Sequence, residues 1–324
     1  MTVGNARRFR NFGENLMAAA IELQGVSKSY GSVHAVSSLD LRVPEGSVYG
    51  FLGPNGSGKT TTIRMIMNIL VPDQGSLFIQ GRSVSKDTKD VIGYLPEERG
   101  LYPKMKVAEL IRFFAELKNV PRSDLERRVR YWLERVDLAD WGAKKVNELS
   151  KGMQQKIQFI VSVIADPPIL ILDEPSSGLD PVNANLLREI LLELRSQGKT
   201  ILFSTHRMEE AERLCDHICL ISKGHKVLDG ELNAIRNSAG KGTVRIDYRG
   251  DAQILRRGPG VASVADYGNY AEVQMAPGGE PAALLRWLAP QLEMTRFEMQ
   301  APSLNQIFLD SVGATTAVPA AHGG

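Results

Sequence analysis

The stretch Gly53-Pro54-Asn55-Gly56-Ser57-Gly58-Lys59-Thr60-Thr61 fits the spacing G-x-x-x-x-G-K-[ST] of a phosphate-binding loop, with Gly53, Gly58, Lys59 and Thr60 at the fixed positions. Its flanks agree. Ser47 to Leu52 reads as a short buried strand, and Thr61 to Leu70 has apolar residues at helical spacing. Strand, glycine loop and helix are the arrangement that phosphate chemistry needs. Glycines let backbone N–H groups turn inward without Cβ clashes, so Gly53 to Thr61 can form a nest for anionic oxygens. The helix that follows adds free N–H groups and the positive end of its dipole. In such a loop Lys59 bridges the terminal phosphates and the Thr60 hydroxyl binds Mg²⁺.

A chain of 324 residues is long for one core and fits one large domain plus a small one. With 43% hydrophobic and 23% charged residues it has the composition of a soluble globular protein. The net charge of +2 argues for neither a nucleic-acid nor a membrane surface. The two cysteines, Cys215 and Cys219, are expected four apart on one helix, which favours neither a disulfide framework nor a metal site and fits a reducing, cytoplasmic setting. The most apolar stretches, Phe159 to Ala165 and Ile169 to Leu172, are too short to span a bilayer. A membrane role would need another chain to supply the span.

Outward from the loop, residues 1 to 19 are expected to be a flexible leader, with Met17 a second possible start. Ile21 to Val26 alternates like an edge strand, Ser27 to Gly31 reads as a turn, and Val36 to Val43 alternates again. Ser76 to Ile79 and Val91 to Pro96 read as strands. Val107 to Ala165 is almost purely helical, and the charges in Leu125 to Arg130 fit a solvated helix face. Buried strands resume at Ile169, Ile201 and Ile218, with a helix over Met208 to Leu214. This predicts an α/β unit over 20–232 with an antiparallel β subdomain and a helical insertion at about 103–165. Gly240-Lys241-Gly242 marks a boundary. Residues 241–312 then read β-α-β-β-α-β plus a last helix, the order of a ferredoxin-like α+β domain, and 313–324 as a disordered tail.

A second chemical signal is Pro167-Pro168-Ile169-Leu170-Ile171-Leu172-Asp173-Glu174-Pro175. Four apolar residues make a central parallel strand, and two acids stand at its C-terminal end, where open α/β sheets bind ligands. Asp173 is placed to hold Mg²⁺ through water, and Glu174 to take a proton from attacking water.

With Asn147-Glu148-Leu149-Ser150-Lys151-Gly152-Met153-Gln154-Gln155 between these two motifs, residues 21 to about 232 resemble an ABC-transporter ATPase subunit. Leu149-Ser150-x-Gly152 is similar to that family's signature, although Ser150 alone could be a helix N-cap. Other elements resemble the family in order. Tyr30 sits where an aromatic residue stacks on adenine, though by itself it fits strand-end packing equally. Ser177-Gly178-Leu179-Asp180 resembles the loop joining two ATP sites, and His206 the switch histidine at the γ-phosphate. There are two departures. Glu97 stands where a glutamine senses magnesium and the membrane partner, and Lys151 and Met153 replace the commoner Gly and Gln. Glu97 can still bind Mg²⁺ or water, but it adds negative charge beside phosphate.

The resemblance implies a homodimer or pseudo-dimer of ATPase subunits binding ATP and Mg²⁺. Each ATP then lies between one subunit's phosphate loop and the other's Ser150 and Gly152. It further implies catalysis by Glu174, Lys59 and His206, with Thr60, Asp173 and Glu97 on the metal. A separate transmembrane permease would dock near Glu97 to Phe114, placing the chain on the inner face of the membrane, and it would recognise the substrate. Ser303-Leu304-Asn305-Gln306-Ile307-Phe308-Leu309 resembles the close of the C-terminal domain in ATPases of this kind, many of them exporters. A soluble ABC ATPase acting on ribosomes or nucleic acid is the alternative. It fits less well, because such proteins fuse two ATPase units or insert long coiled coils. A GTPase would carry Asn-Lys-x-Asp, which is missing.

Overall fold

The structure, a computed structural model, describes residues 18–98, 100–238, 242–276, 278–300 and 303–316. Met17, most of the expected leader, the Gly240-Lys241 boundary and residues 317–324 of the expected tail lie outside them.

The chain begins with an antiparallel pair, β1 (Ala19–Tyr30) and β2 (Val33–Pro44). Of the turn expected at Ser27 to Gly31, Ser27 to Tyr30 are instead strand. Register shifts after Leu23, Val26 and Lys28 absorb the irregular polar spacing, and the chain turns only at Gly31-Ser32. Next come β3 (Val48–Leu52) and α1 (Lys59–Ile66). This helix starts at Lys59 and stops short of the expected Leu70, because Asn68 turns left-handed (φ 50°). Then follow β4 (Gln74–Ile79), the short β5 (Arg82–Ser83) and β6 (Ile92–Leu95). The insertion consists of α2 (Val107–Leu117), α3 (Arg122–Arg135) and α4 (Lys151–Val163). On α3, Leu125 and Val129 are buried while Glu126, Arg127 and Arg130 are exposed, as an amphipathic pattern requires.

The core closes with β7 (Ile169–Asp173), α5 (Pro181–Ser196), β8 (Thr200–Thr205), α6 (Met208–Leu214), β9 (His217–Ser222), β10 (His225–Glu231) and α7 (Leu232–Ser238). One six-stranded sheet runs β10-β9-β3-β8-β7-β6, with only the β9–β10 pair antiparallel. Every residue of β3, β7 and β8 is buried, as expected of parallel strands covered on both faces. Leu52, Leu172 and Phe203 point to a core shared with α2–α6, whereas Phe51, Ile171 and Leu202 point to one shared with α1 and the antiparallel sheet β2-β1-β4-β5. Cys215 and Cys219 do not share a helix. Cys215 follows α6 and Cys219 lies on β9, each in a different core, with thiols that burial pushes up.

The remaining elements are β11 (Thr243–Arg249), α8 (Gln253–Arg256), β12 (Val261–Asp266), β13 (Tyr270–Met275), α9 (Pro281–Leu288), β14 (Glu293–Gln300) and α10 (Leu304–Thr316). Their sheet order, β12-β13-β11-β14, all antiparallel, is that of a ferredoxin-like fold. Val244, Ile246, Val273, Leu284 and Leu288 form its core. The expected tail start at 313 is corrected, because α10 runs to Thr316. This helix packs on α6, while Asn305 donates to the Tyr267 hydroxyl of its own unit. Leu304 and Ile307 are buried in the first core, and the Leu304 N–H donates to Glu212 Oε1 on α6.

Two predictions follow from this contact. Leu304→Ala should lower stability by about 2–5 kcal/mol, the usual cost of emptying a buried leucine site, read as a drop in melting temperature. Burial pushes the Glu212 carboxyl up, with Glu272 and Glu209 adding to the rise, while the Leu304 N–H and Arg236 oppose it. The folded protein therefore holds this proton to higher pH than the unfolded chain, and stability falls as pH rises from about 4 through the raised value. Glu212→Gln keeps an acceptor for Leu304 but has no charge to desolvate. Its melting temperature should depend less on pH over that window than that of the wild type.

Candidate functional site

Because β3, β6, β7 and β8 are parallel, the loops leaving their C-terminal ends share one edge of the sheet. There a cavity of ≈570 Å³ is lined by Asn55, Gly56, Gly58, Lys59, Thr60, Thr61, Glu97, Asp173 and Glu174, together with Val33, His34, Ala35 and Lys223. The phosphate loop is held by close approach of its backbone to neighbouring strands. Gly58 has φ 110°, and a Cβ there would lie 2.3 Å from the Ala35 carbonyl oxygen. Only glycine fits. The Lys59 ammonium donates to the carbonyls of Gly53 (2.7 Å) and Pro54 (3.2 Å). Ser57 donates its N–H to the Pro54 carbonyl, and its buried hydroxyl has no partner. Desolvation pulls the Lys59 ammonium down, while Glu174, Asp173 and Glu97 pull it back up.

The acids at the end of β7 are held by β8. Ser204 Oγ donates to Asp173 Oδ1, while Asp173 Oδ2 is fully buried with no protein partner. An orphaned buried carboxylate oxygen beside a threonine hydroxyl and a second acid suits a hydrated divalent cation, so the residues present fit Mg²⁺. Glu174 adopts φ 49°, and its N–H donates to the Ser204 carbonyl (3.1 Å). Its Oε2 accepts from Thr205 Oγ1 (3.5 Å), and its Oε1 pairs with His206 Nδ1 at 2.9 Å. Two glutamines of α4 hold the loops. Gln155 donates to the Pro175 carbonyl, and Gln158 donates to the carbonyls of Pro96 and Glu98, on either side of Glu97.

Other expected site residues lie elsewhere. Ser150 caps α4, accepting from the Met153 N–H (3.2 Å), and Asp180 caps α5, accepting from Val182 and Asn183. Gly152 packs against Gly178 and Leu179, where a Cβ would sit 3.4 Å from the Gly178 oxygen. The signature therefore meets the loop ending at Asp180, and neither lines the cavity. Tyr30 is 48% exposed at the end of β1, with the Lys28 ammonium 6.0 Å from its ring centre. Sequence reasoning missed the cavity residues Val33, His34, Ala35 and Lys223. The available signal for Lys223 was Ser222-Lys223-Gly224-His225 between two strand patterns, a hairpin that goes unseen when β10 is not read as a strand.

The ABC transporter family model matches residues 36–177, and the C-terminal domain model of DrrA1-3-like ATP-binding proteins matches 230–312. The ABC transporter ATP-binding protein YhaQ of Bacillus subtilis, itself described as uncharacterized, is 43% identical over 294 residues, 91% of this chain and 99% of its own length. Nod factor export ATP-binding protein I of Cupriavidus pinatubonensis is 35% identical over 300 residues, 92% of each chain. Among solved structures, an ATP binding subunit of an ABC transporter aligns with a TM-score of 0.64 at 30% identity, covering 68% of this chain and 92% of that one. The dimeric post-hydrolysis cassette MJ0796 bound to ADP and Pi, at 24% identity, shares the fold with a TM-score of 0.61 over 65% of this chain and 98% of that one. The chain belongs to the ABC transporter ATP-binding subunits, and is an ATPase of the phosphate-loop α/β type.

Proposed function

We propose that this ATPase powers substrate export through a separate permease, and that its ATP sites form only between two ATPase subunits. The observation that carries the dimer reading is the separation within one chain. The cavity holds the phosphate loop and the acids, whereas Ser150 caps α4 and Gly152 stands against Gly178 and Leu179, both outside it. A second subunit placed head to tail brings its Ser150, Gly152 and Asp180 over the first subunit's loop. That a cassette of the same fold is dimeric supports pairing of two subunits, and the Nod factor export relative supports export. No helix among the described residues is long and apolar enough to cross a membrane, and in this reading the permease supplies the span. Tyr102 and Phe113, half-exposed and packed edge to face, offer it an apolar seat. In this reading the protein works at the cytoplasmic face of the membrane.

In this reading Lys59 leaves its loop carbonyls for the terminal phosphates, a stronger partner for an ammonium than neutral oxygens. Tyr30 stacks on adenine. Glu174, oriented by His206 and Thr205, accepts the proton of the attacking water. His206 then steadies the terminal phosphate. Thr60, Asp173 and Glu97 would hold Mg²⁺, which when bound neutralises charge developing on the transferred phosphoryl group.

Glu174→Gln should bind ATP at near wild-type affinity yet lose about 10²- to 10⁴-fold in hydrolysis, the usual contribution of a general base, measured by phosphate release. The shared site is tested by mixing. Lys59→Ala and Ser150→Arg should each abolish hydrolysis alone. A mixture should recover activity that neither shows, because a mixed dimer has one site with an intact loop and an intact signature. A mixture no more active than its parts would overturn the shared-site reading.

A further inference from the structure

We propose that Lys223 is a nucleotide-binding residue whose ammonium contacts the α-phosphate and ribose end of the bound nucleotide. The proposal rests on reading the cavity as the ATP site and adds a cation to it that the sequence motifs do not include.

Strand order fixes which side of the nucleotide Lys223 faces. The phosphate loop leaves β3. The strands β8, β7 and β6, with His206, Asp173, Glu174 and Glu97 at their ends, lie on one side of it, and β9 lies on the other. Lys223 follows directly from β9. The acids and the catalytic pair thus face the terminal phosphate from one flank, and Lys223 faces the loop from the opposite flank. That flank also carries Val33, His34 and Ala35, a few residues beyond Tyr30 and hence towards the base.

The backbone holds Lys223 rigidly in place. Lys223 (φ 48°) and Gly224 (φ 79°) are both left-handed, forming a two-residue turn between β9 and β10. Such a turn favours Asn-Gly, and a lysine in it is strained. The Gly224 N–H donates to the Ser57 carbonyl (2.9 Å), and its own carbonyl accepts from the Ser37 N–H (2.9 Å). A Cβ on Gly224 would lie 2.8 Å from the His34 oxygen. The turn is therefore clamped between the phosphate loop and β2, and its lysine cannot swing away with the backbone. Among the described residues the Lys223 ammonium has no hydrogen bond or ion pair. The side chain is exposed at the rim of a cavity where three carboxylates outweigh Lys59. A free ammonium in a strained backbone position, facing a site for a polyanion, points to the ligand as its partner.

The test is calorimetric titration with ADP and with a non-hydrolysable ATP analogue, in parallel with thermal melting. Lys223→Asn suits the turn better but removes the charge. It should melt at or above the wild-type temperature while binding both nucleotides about three- to tenfold more weakly, the range for a partly exposed charge-assisted contact. Lys223→Arg should retain affinity. Unchanged affinity in Lys223→Asn would overturn the proposal. So would a loss confined to the ATP analogue, which would place the ammonium at the terminal phosphate. Lys59→Ala serves as the control. If it bound ADP as tightly as wild type, the cavity itself would not be the nucleotide site, a failure distinct from that of Lys223.

Discussion

Three parallel strands in register hold the chemistry of this protein at one edge. Leu52 pairs with Thr205 and Asp173 with Ser204, so the loop after β3, the acids after β7 and His206 after β8 emerge side by side. A slip of one residue in either pairing would turn these side chains to the wrong face and exchange the two cores, since successive strand residues alternate sides. Complete burial of the three strands on both faces makes such a slip very costly. The site is therefore as rigid as the sheet that carries it.

The edge itself is built from groups that are expensive to bury. Asp173 has one oxygen bound by Ser204 and one with no protein partner, and Lys59 sits partly desolvated against three acids. Such an arrangement costs stability and is tolerated where a charged ligand completes it. The supporting layer contains no chemistry of its own. Gln155 and Gln158, on one helix, hold the backbones after β7 and β6 by side-chain amides. The same helix carries the signature at its N-terminus, so movement of α4 would act on the signature and on the loop bearing Glu97 together.

Among the described residues, the short helix α6 links the C-terminal unit to this machinery. α6 starts two residues after His206. Its Glu210 accepts from Ser176 (2.6 Å), next to the loop that ends at Asp180, and its Glu212 accepts from α10. A chain of contacts thus runs from the ferredoxin-like unit, through Leu304 and α6, to both sides of Glu174.

The local motifs were legible from residue order alone. Gly53 to Thr61, Asp173-Glu174 and the β-α-β-β-α-β order each have a spacing that local geometry dictates, and that order is the one β11 to β14 follow. What could not be read depends on partners far along the chain. The strand continuing through Ser27 to Tyr30 is stabilised by β2 and by bulges, not by its own alternation. The end of α1 is set by Asn68, and the separation of Cys215 from Cys219 by the start of β9. Ser150 and Asp180 are helix caps outside the cavity of one chain, so the role expected of them depends on a second subunit. Lys223 and His34 were not read at all, yet they line the cavity. Residue order alone picked out the glycine loop of Gly53 to Thr61 and the acids Asp173 and Glu174, because those are short-range patterns. Which side chains share the cavity, and from which flank, follows from the assembled fold, because strand order in a parallel sheet is set by long-range packing that no local spacing records.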